Sequence, residues 1–482
     1  MAMRAHTATR DRAEMSDIHT RSSHSEAAFG LSRREMLRRA AGGFPLVALS
    51  ALLAGEASGQ SRPRSPLAPK TAHHPPKTKS VIFLFMGGGP SHLDLFDPKP
   101  TLAKYETISV KQPRVKRDAS SKCQPSPYQF HQHGAAGIWL SELLPHLATC
   151  ADHLCVIRSM TCNQLEHSGA LRLMLTGDGF FPRPSMGSWV VYGLGSENES
   201  LPGFISLERQ INLAGKSIYG AGFLPVAYEG ALVKDPENPM DNLKLPVPLP
   251  VQIRKVEAIR KLNELYRRGR EEDSRLDARI AAYELAFRMQ TEAPEAFDVS
   301  RETPETFALY GLNDKTTEAY GRQCLLARRL VERGVRFVLA NVNNQWDSHG
   351  AVRDHDKIAA ATDRPVAALL KDLKRRGLLE ETLVIWGGEF GRTPMAQGAG
   401  RDHHPYGFTM WLAGGGVKSG LTYGATDDFG FYATENRVPI HDLQATVLHL
   451  LGLDHTRLTY RQSGRDFRLT DVDGEVISDI IA

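Results

Sequence analysis

The chain has 482 residues, 41% of them hydrophobic and 24% charged, with a formal net charge of +4. That length suits one large domain or two to three ordinary ones, and the apolar content suffices for a full core. So small a net charge, with no basic patch, argues against a nucleic-acid partner.

The first feature in chain order is "SRREMLRRAAGGFPLVALSALLAG", with Arg33 and Arg34 paired, then Met36 and Leu37, then a weakly apolar run from Phe44 to Ala54. This resembles a twin-arginine export signal, which would make residues 1–59 a removable leader. The alternative is a short membrane anchor, but the run is about half of the roughly 20 residues that cross a bilayer. Export machinery is thus the expected partner, and the periplasm or the outside of the cell the expected location. Residues 60–78 follow, rich in Pro and Ser, and read as a disordered tether. An oxidising compartment would permit a disulfide among Cys123, Cys150, Cys155 and Cys162.

From residue 79 the pattern changes. "SVIFLF" is a continuous apolar run, as in a strand buried on both faces. "HLCVIRSM", "GVRFVLANV", "ETLVIWGG" and "GFTMWLAGGG" are further short apolar runs that end in glycine or polar residues. Helical patterns lie between them: "WLSELLPHLATCAD", "GALRLMLTG", "YGRQCLLARRLVERG" and "AATDRPVAALLKDLKRRG". Strands alternating with helices predict an α/β fold with a mostly parallel sheet. Residues 250–295 break the rhythm. They predict a helical insertion, one long helix or two antiparallel ones, with a charged outer face.

Five polar clusters fall where strands of such a sheet would end, the usual place for a ligand. "MGGGPSHLDLFDPKP" offers Asp94 behind Gly87–Gly89, glycines that allow close backbone approach to a ligand; Asp97, before Pro98, reads as a turn former. "LEHSG" places His167 and Ser168 at a helix start, where Ser168 reads equally as an N-cap. In "WDSHG", Asp347 and His349 share one face if the strand continues, which suits two ligands of one metal; otherwise Asp347 caps the next helix. "GGEFGR" presents Glu389, a carboxylate for a cation, and Arg392, a guanidinium for an oxyanion; a structural ion pair is the alternative. In "GRDHHP", His403 and His404 point opposite ways on an extended chain, so only one can be a direct ligand. Together the clusters predict a metal-assisted site.

The order of these segments resembles the alkaline phosphatase and sulfatase superfamily. The strings "VIFLFMGGGPSHLDLFDPKP", "ARRLVERGVRFV", "WDSHG", "GGEFGRTP", "DHHPYGF" and "HDLQATVLHLLGLDH" more closely resemble an uncharacterised family of twin-arginine-exported bacterial proteins placed within it. The resemblance implies a three-layer α/β/α sandwich over residues 79–482. It also implies a divalent metal (zinc, calcium or manganese) on Asp347, His349, Glu389 and His403 or His404, with Asp442 capping a closing helix.

Two departures stand out. The enzymes carry a ligand Asp right after the first strand, where this chain has Gly87–Gly89, so Asp94 would have to substitute. Their nucleophile lies ten residues before the Gly of a "TG" helix end. Here that position is His167, with Ser168 beside it. The expected function is an exported metal-dependent hydrolase of phosphate or sulfate esters, carbohydrate esters among them. In it His167 or Ser168 attacks, or a metal-bound water does, and Arg392 steadies the oxyanion. A helix N-terminus would lower the His167 pKa. The competing expectation is a secreted binding protein that keeps the fold without the nucleophile.

Overall fold

A computed structural model describes residues 65–111, 118–208, 213–234, 247–267 and 274–482. The twin-arginine segment and residues 60–64 of the expected tether lie outside the described residues. Residues 65–78 form no regular element, yet they are pinned to the domain. Leu67 is buried, Lys70 N–H donates to the Leu194 carbonyl at 2.8 Å, and Lys77 and Thr78 both donate to the Leu450 carbonyl. Over this stretch the expected tether is part of the fold.

The main sheet has nine strands among the described residues. In chain order these are β1 (Ser80–Phe85), β2 (Leu154–Thr161), β3 (Phe204–Leu207), β4 (Ala231–Val233), β5 (Phe337–Asn341), β6 (Thr382–Gly387), β9 (Phe408–Ala413), β10 (Leu421–Tyr423) and β11 (Val438–Pro439). Strands β7 (Gly391–Gln397) and β8 (Gly400–His404) form a separate hairpin inserted between β6 and β9. The spatial order is β10-β2-β9-β6-β1-β5-β3-β4, with β11 also against β2. Only β9 runs antiparallel to its neighbours, so the sheet is mostly parallel.

Side chains alternate across a strand, and β1 shows what each face covers. Val81, Phe83 and Phe85 pack into one core with helices α1 (His167–Thr176), α2 (Met186–Leu194) and α7 (Ile440–Leu450). Ile82 and Leu84 pack into the other with α5 (Glu318–Glu332) and α6 (Asp354–Arg375). This is the expected three-layer α/β/α arrangement. The insertion is two helices, α3 (Leu249–Arg267) and α4 (Ser274–Phe297). They run antiparallel, since Gln252 meets Gln290 at 3.3 Å and Arg260 meets Glu284 at 3.7 Å.

Two local expectations differ. "WLSELLPHLATCAD" is not one helix. It begins in the hairpin strand Ile138–Ser141, and a short helix starts only at Pro145, whose ring fits the first helical turn and no later position. Asp442 lies in the first turn of α7, but the N-cap is Pro439; the Asp442 carboxylate accepts from the Glu475 N–H at 2.9 Å instead. The expected disulfide is absent too: Cys123, Cys150 and Cys155 are buried, unbridged thiols.

Behind the sheet, Arg328 of α5 is almost fully buried among Glu302 (2.8 Å), Glu332 (2.8 Å) and Asp372 (3.0 Å). Burial alone would raise the Asp372 pKa, but bonds from Arg375 and Arg376 and the Arg328 charge hold it below the usual carboxylate range; Glu302 is held down by Arg328 and Arg329. A depressed folded pKa contributes stability that is complete above the unfolded carboxylate value of about 4 and lost as pH falls through the folded one. Asp372→Ala should therefore cost about 1–3 kcal/mol near neutrality, because it removes the acceptor of the Arg328 Nε–H and the Tyr310 hydroxyl while Glu302 and Glu332 still balance the charge. Urea unfolding should show that gap shrinking toward pH 3. A cost under about 1 kcal/mol at pH 7 would rule out this role.

Candidate metal centre

Strands β1, β5 and β6 finish level: Phe85 pairs with Asn341 on one side and with Gly387 on the other. The loops that follow them therefore emerge side by side. Their contact explains the three glycines. A Cβ on Gly87 would stand 2.0 Å from the Asn343 carbonyl oxygen, and one on Gly88 (φ +108°) 2.3 Å from the Asp347 nitrogen. The glycines make room for the neighbouring loop, not for a ligand as expected.

Within this crowded edge the side chains of His167, Asp347, His349 and His403 converge. One ligand atom from each lies within 4.8 Å of all the others. His167 is the first residue of α1, behind the N-cap Glu166. Its Nε2 stands 3.2 Å from Asp347 Oδ2, buried and without a hydrogen-bond partner. His349 Nε2 is 3.0 Å from Asp347 Oδ1, and His403 Nε2 is 3.5 Å from it and 2.9 Å from His349 Nε2. Asp347 and His349 come from the loop after β5, since that strand ends at Asn341 and does not continue as expected.

The other nitrogen of each ring is already held. His167 Nδ1 lies 2.6 Å from Glu389 Oε1, His403 Nδ1 lies 2.9 Å from the Leu165 carbonyl, and His349 Nδ1 meets Gln397 Oε1. All three partners are acceptors, so each Nδ1 carries the proton. The three Nε2 atoms face the same place, with Arg392 Nη1 lying 3.3 Å from that of His349. Such outer partners are what fix a ligating imidazole.

Other expected site residues fall elsewhere. His404 follows His403 on β8 and so points to the opposite face. There it is buried, bonded to the Phe431 carbonyl, and burial pushes its pKa down to about 3. Asp94 is buried and gives both oxygens to Arg401, at 2.8 and 3.1 Å, while accepting from Ser91 Oγ at 2.5 Å. It is a structural ion pair, not a replacement ligand. Ser168 is not the N-cap of α1, a place that Glu166 takes.

Glu389 lies outside the four ligand residues as well. It is fully buried and accepts from the Gly88 N–H (3.0 and 3.3 Å) while holding His167. Arg392 is also fully buried. It donates to the carbonyls of Gly88, Gly89 (2.9 Å), Trp346 (3.4 Å) and Arg401 (3.2 Å), to Asp347 Oδ1 (2.8 Å) and to His349 Nε2 (3.3 Å). Those bonds use up its donors, so the expected oxyanion role fails for want of a free N–H.

Sequence reasoning missed Gln397 and the Leu165 carbonyl. A hairpin glutamine and a backbone oxygen carry no signal in residue type.

The electrostatics also differ from expectation. Burial lowers the His167 pKa, but contact with Asp347 and Glu389 outweighs it and raises it to about 9; the two carboxylates overrule the helix terminus. Asp347 is pushed up by burial, yet held far below the carboxylate range by His167, His403 and Arg392. Asp347 and His349 are 25% and 37% exposed, so the group is open to solvent on one side. Three imidazoles and one carboxylate suit a borderline divalent ion such as zinc, or manganese, and suit calcium poorly because calcium takes oxygen ligands.

The family described as "Protein of unknown function (DUF1501)" matches residues 78–481. The chain belongs to that family. No curated protein matches it. Similar solved structures include the PsFucS1 sulfatase from Pseudoalteromonas sp., 13% identical, TM-score 0.34, covering 84% of this chain and 71% of that one. The alkaline phosphatase from the Antarctic bacterium TAB5 is 9% identical, TM-score 0.31, covering 74% and 96%. Ps i-CgsB in complex with k-i-k-neocarrahexaose is 11% identical, TM-score 0.34, covering 78% and 72%. Among the described residues no helix is long and apolar enough to cross a membrane.

The two adjacent histidines give a direct check. His403→Ala should lower bound metal sharply, read by plasma mass spectrometry. His404→Ala should leave metal content unchanged and cost about 1–3 kcal/mol through the unpaired Phe431 carbonyl and lost packing. Equal metal loss in both variants would mean that the wrong face of β8 has been chosen.

Proposed function

We propose that this DUF1501 protein is a metal-dependent hydrolase of phosphate or sulfate esters that works outside the cytoplasm. The observation that carries the reading is the set of three histidines, each with Nδ1 spent on an acceptor and Nε2 turned toward Asp347. That donor set fits a metal ion. A divalent ion there would polarise an ester oxygen as a Lewis acid. The protein's own groups do the rest of the positioning. Glu389, Gln397 and the Leu165 carbonyl fix the three rings, and Arg392 locks the loops. His167 is a ligand in this reading, not the nucleophile, because its one free nitrogen faces the cluster. Resemblance of segment order to the phosphatases and sulfatases supports the ester chemistry, and carbohydrate esters are included in the substrate class.

A second reading, a secreted binding protein without turnover, is favoured by one specific observation. Every Arg392 N–H is already bonded within the protein, which leaves no guanidinium donor for an oxyanion. Aryl phosphate and aryl sulfate assays on the metal-loaded protein separate the two. The hydrolase reading expects turnover that a chelator abolishes, that zinc or manganese restores, and that His349→Ala reduces at least 100-fold. Fully loaded protein with no turnover of either ester would establish the binding role.

Export rests on Arg33 and Arg34. Replacing both with Lys should hold the protein in the cytoplasm on fractionation, whereas unchanged export would end the twin-arginine assignment.

A further inference from the structure

We infer that the centre takes one divalent ion per chain, of the nitrogen-preferring class, and that Arg392 is a permanent second cation in the same site. This deepens the metal-dependent reading above and rests on it.

Ligand supply comes first. Outside His167, Asp347, His349 and His403, the buried candidates nearby are already spent. Glu389 is taken by the Gly88 N–H and His167 Nδ1, Asp94 by Arg401 and Ser91, and His404 by the Phe431 carbonyl. A second ion would find only the half-exposed Asp402 carboxylate, whose Oδ1 accepts from the His403 N–H and stands 3.9 Å from His349 Nδ1.

Charge points the same way. The centre holds three carboxylates, Asp347, Glu389 and the half-exposed Asp402, and one guanidinium, Arg392, which sits 2.8 Å from Asp347 Oδ1. With the imidazoles neutral, as metal ligands must be, its formal charge is −2. One divalent ion brings it to 0, whereas two would bring it to +2 beside a fully buried guanidinium. Like charges in such poorly solvated surroundings are strongly disfavoured.

The orphan atom completes the argument. His167 Nε2 is buried, has no hydrogen-bond partner and faces Asp347 across 3.2 Å. His349 and His403 bring their own Nε2 atoms to within 2.9 Å of each other. His349 Nε2 also lies 3.3 Å from Arg392 Nη1, so the guanidinium borders the same point. The four ligand atoms lie within 4.8 Å of one another, a set that suits one nitrogen-preferring ion and suits calcium, which favours oxygen, poorly.

Equilibrium dialysis of the full chain against zinc, cobalt(II) and calcium separately, read by plasma mass spectrometry, tests this. The expected result is one equivalent of zinc or cobalt and at least 100-fold weaker calcium binding. Intense visible bands from bound cobalt would report nitrogen ligation at low coordination number. Gln397→Ala, which frees only the His349 ring, should weaken zinc about 10-fold or more without changing stoichiometry.

Two equivalents of zinc, or calcium held as tightly as zinc, would overturn the inference and leave a metallohydrolase possible. One equivalent without ester turnover would sustain it and sink the hydrolase reading. No bound zinc or cobalt would end both.

Discussion

The Arg392 guanidinium is the constraint on which the rest of the site depends. It is fully buried and bonded to main-chain oxygens of Gly88, Gly89, Trp346 and Arg401, with Asp347 as its one charged partner. A charge removed from water in this way is tolerable only if every donor is satisfied. Satisfying them requires the loops after β1 and β5 and the strand β8 to lie at fixed distances. The level ends of β1, β5 and β6 bring those segments within reach, and the guanidinium fixes their spacing. The glycines at 87 and 88 follow from that constraint, because any side chain there would strike the Asn343 or Asp347 backbone.

Much of this was legible in the sequence, for identifiable reasons. Continuous apolar runs gave the central strands, since a strand covered on both faces cannot hide its pattern. Helical periodicity placed α1, α5, α6 and the paired insertion helices. It failed at "WLSELLPHLATCAD", where Pro145 and tertiary pairing override an apparently amphipathic stretch. Asp347, His349, His403 and His167 were all recognisable by residue type at strand ends. Asp94, His404 and Arg392 carried the same signal and play structural parts.

What separates these two sets is invisible to a one-dimensional reading. A buried histidine or carboxylate must be satisfied whatever its purpose, so residue type and approximate location are shared by both. His404 and His403 differ only in the face of β8 they occupy. Asp94 and Asp347 differ in their partners. Asp94 has both oxygens closed off by one guanidinium, while Asp347 remains a quarter exposed and faces three imidazole rings.

The useful distinction therefore lies in the hydrogen bonds that are absent. Scaffold groups end with their capacity used. Arg392, Arg401, Asp94 and His404 all reach that condition through several partners or through one in an enclosed setting. The three clustered histidines are each held on the Nδ1 side, where Glu389, Gln397 and the Leu165 carbonyl act as acceptors. Their Nε2 atoms crowd onto one partly exposed carboxylate, and that of His167 is buried without a hydrogen-bond partner. A set of ligand atoms within 4.8 Å of one another could hold a metal ion, a capacity the closed ion pairs around it lack.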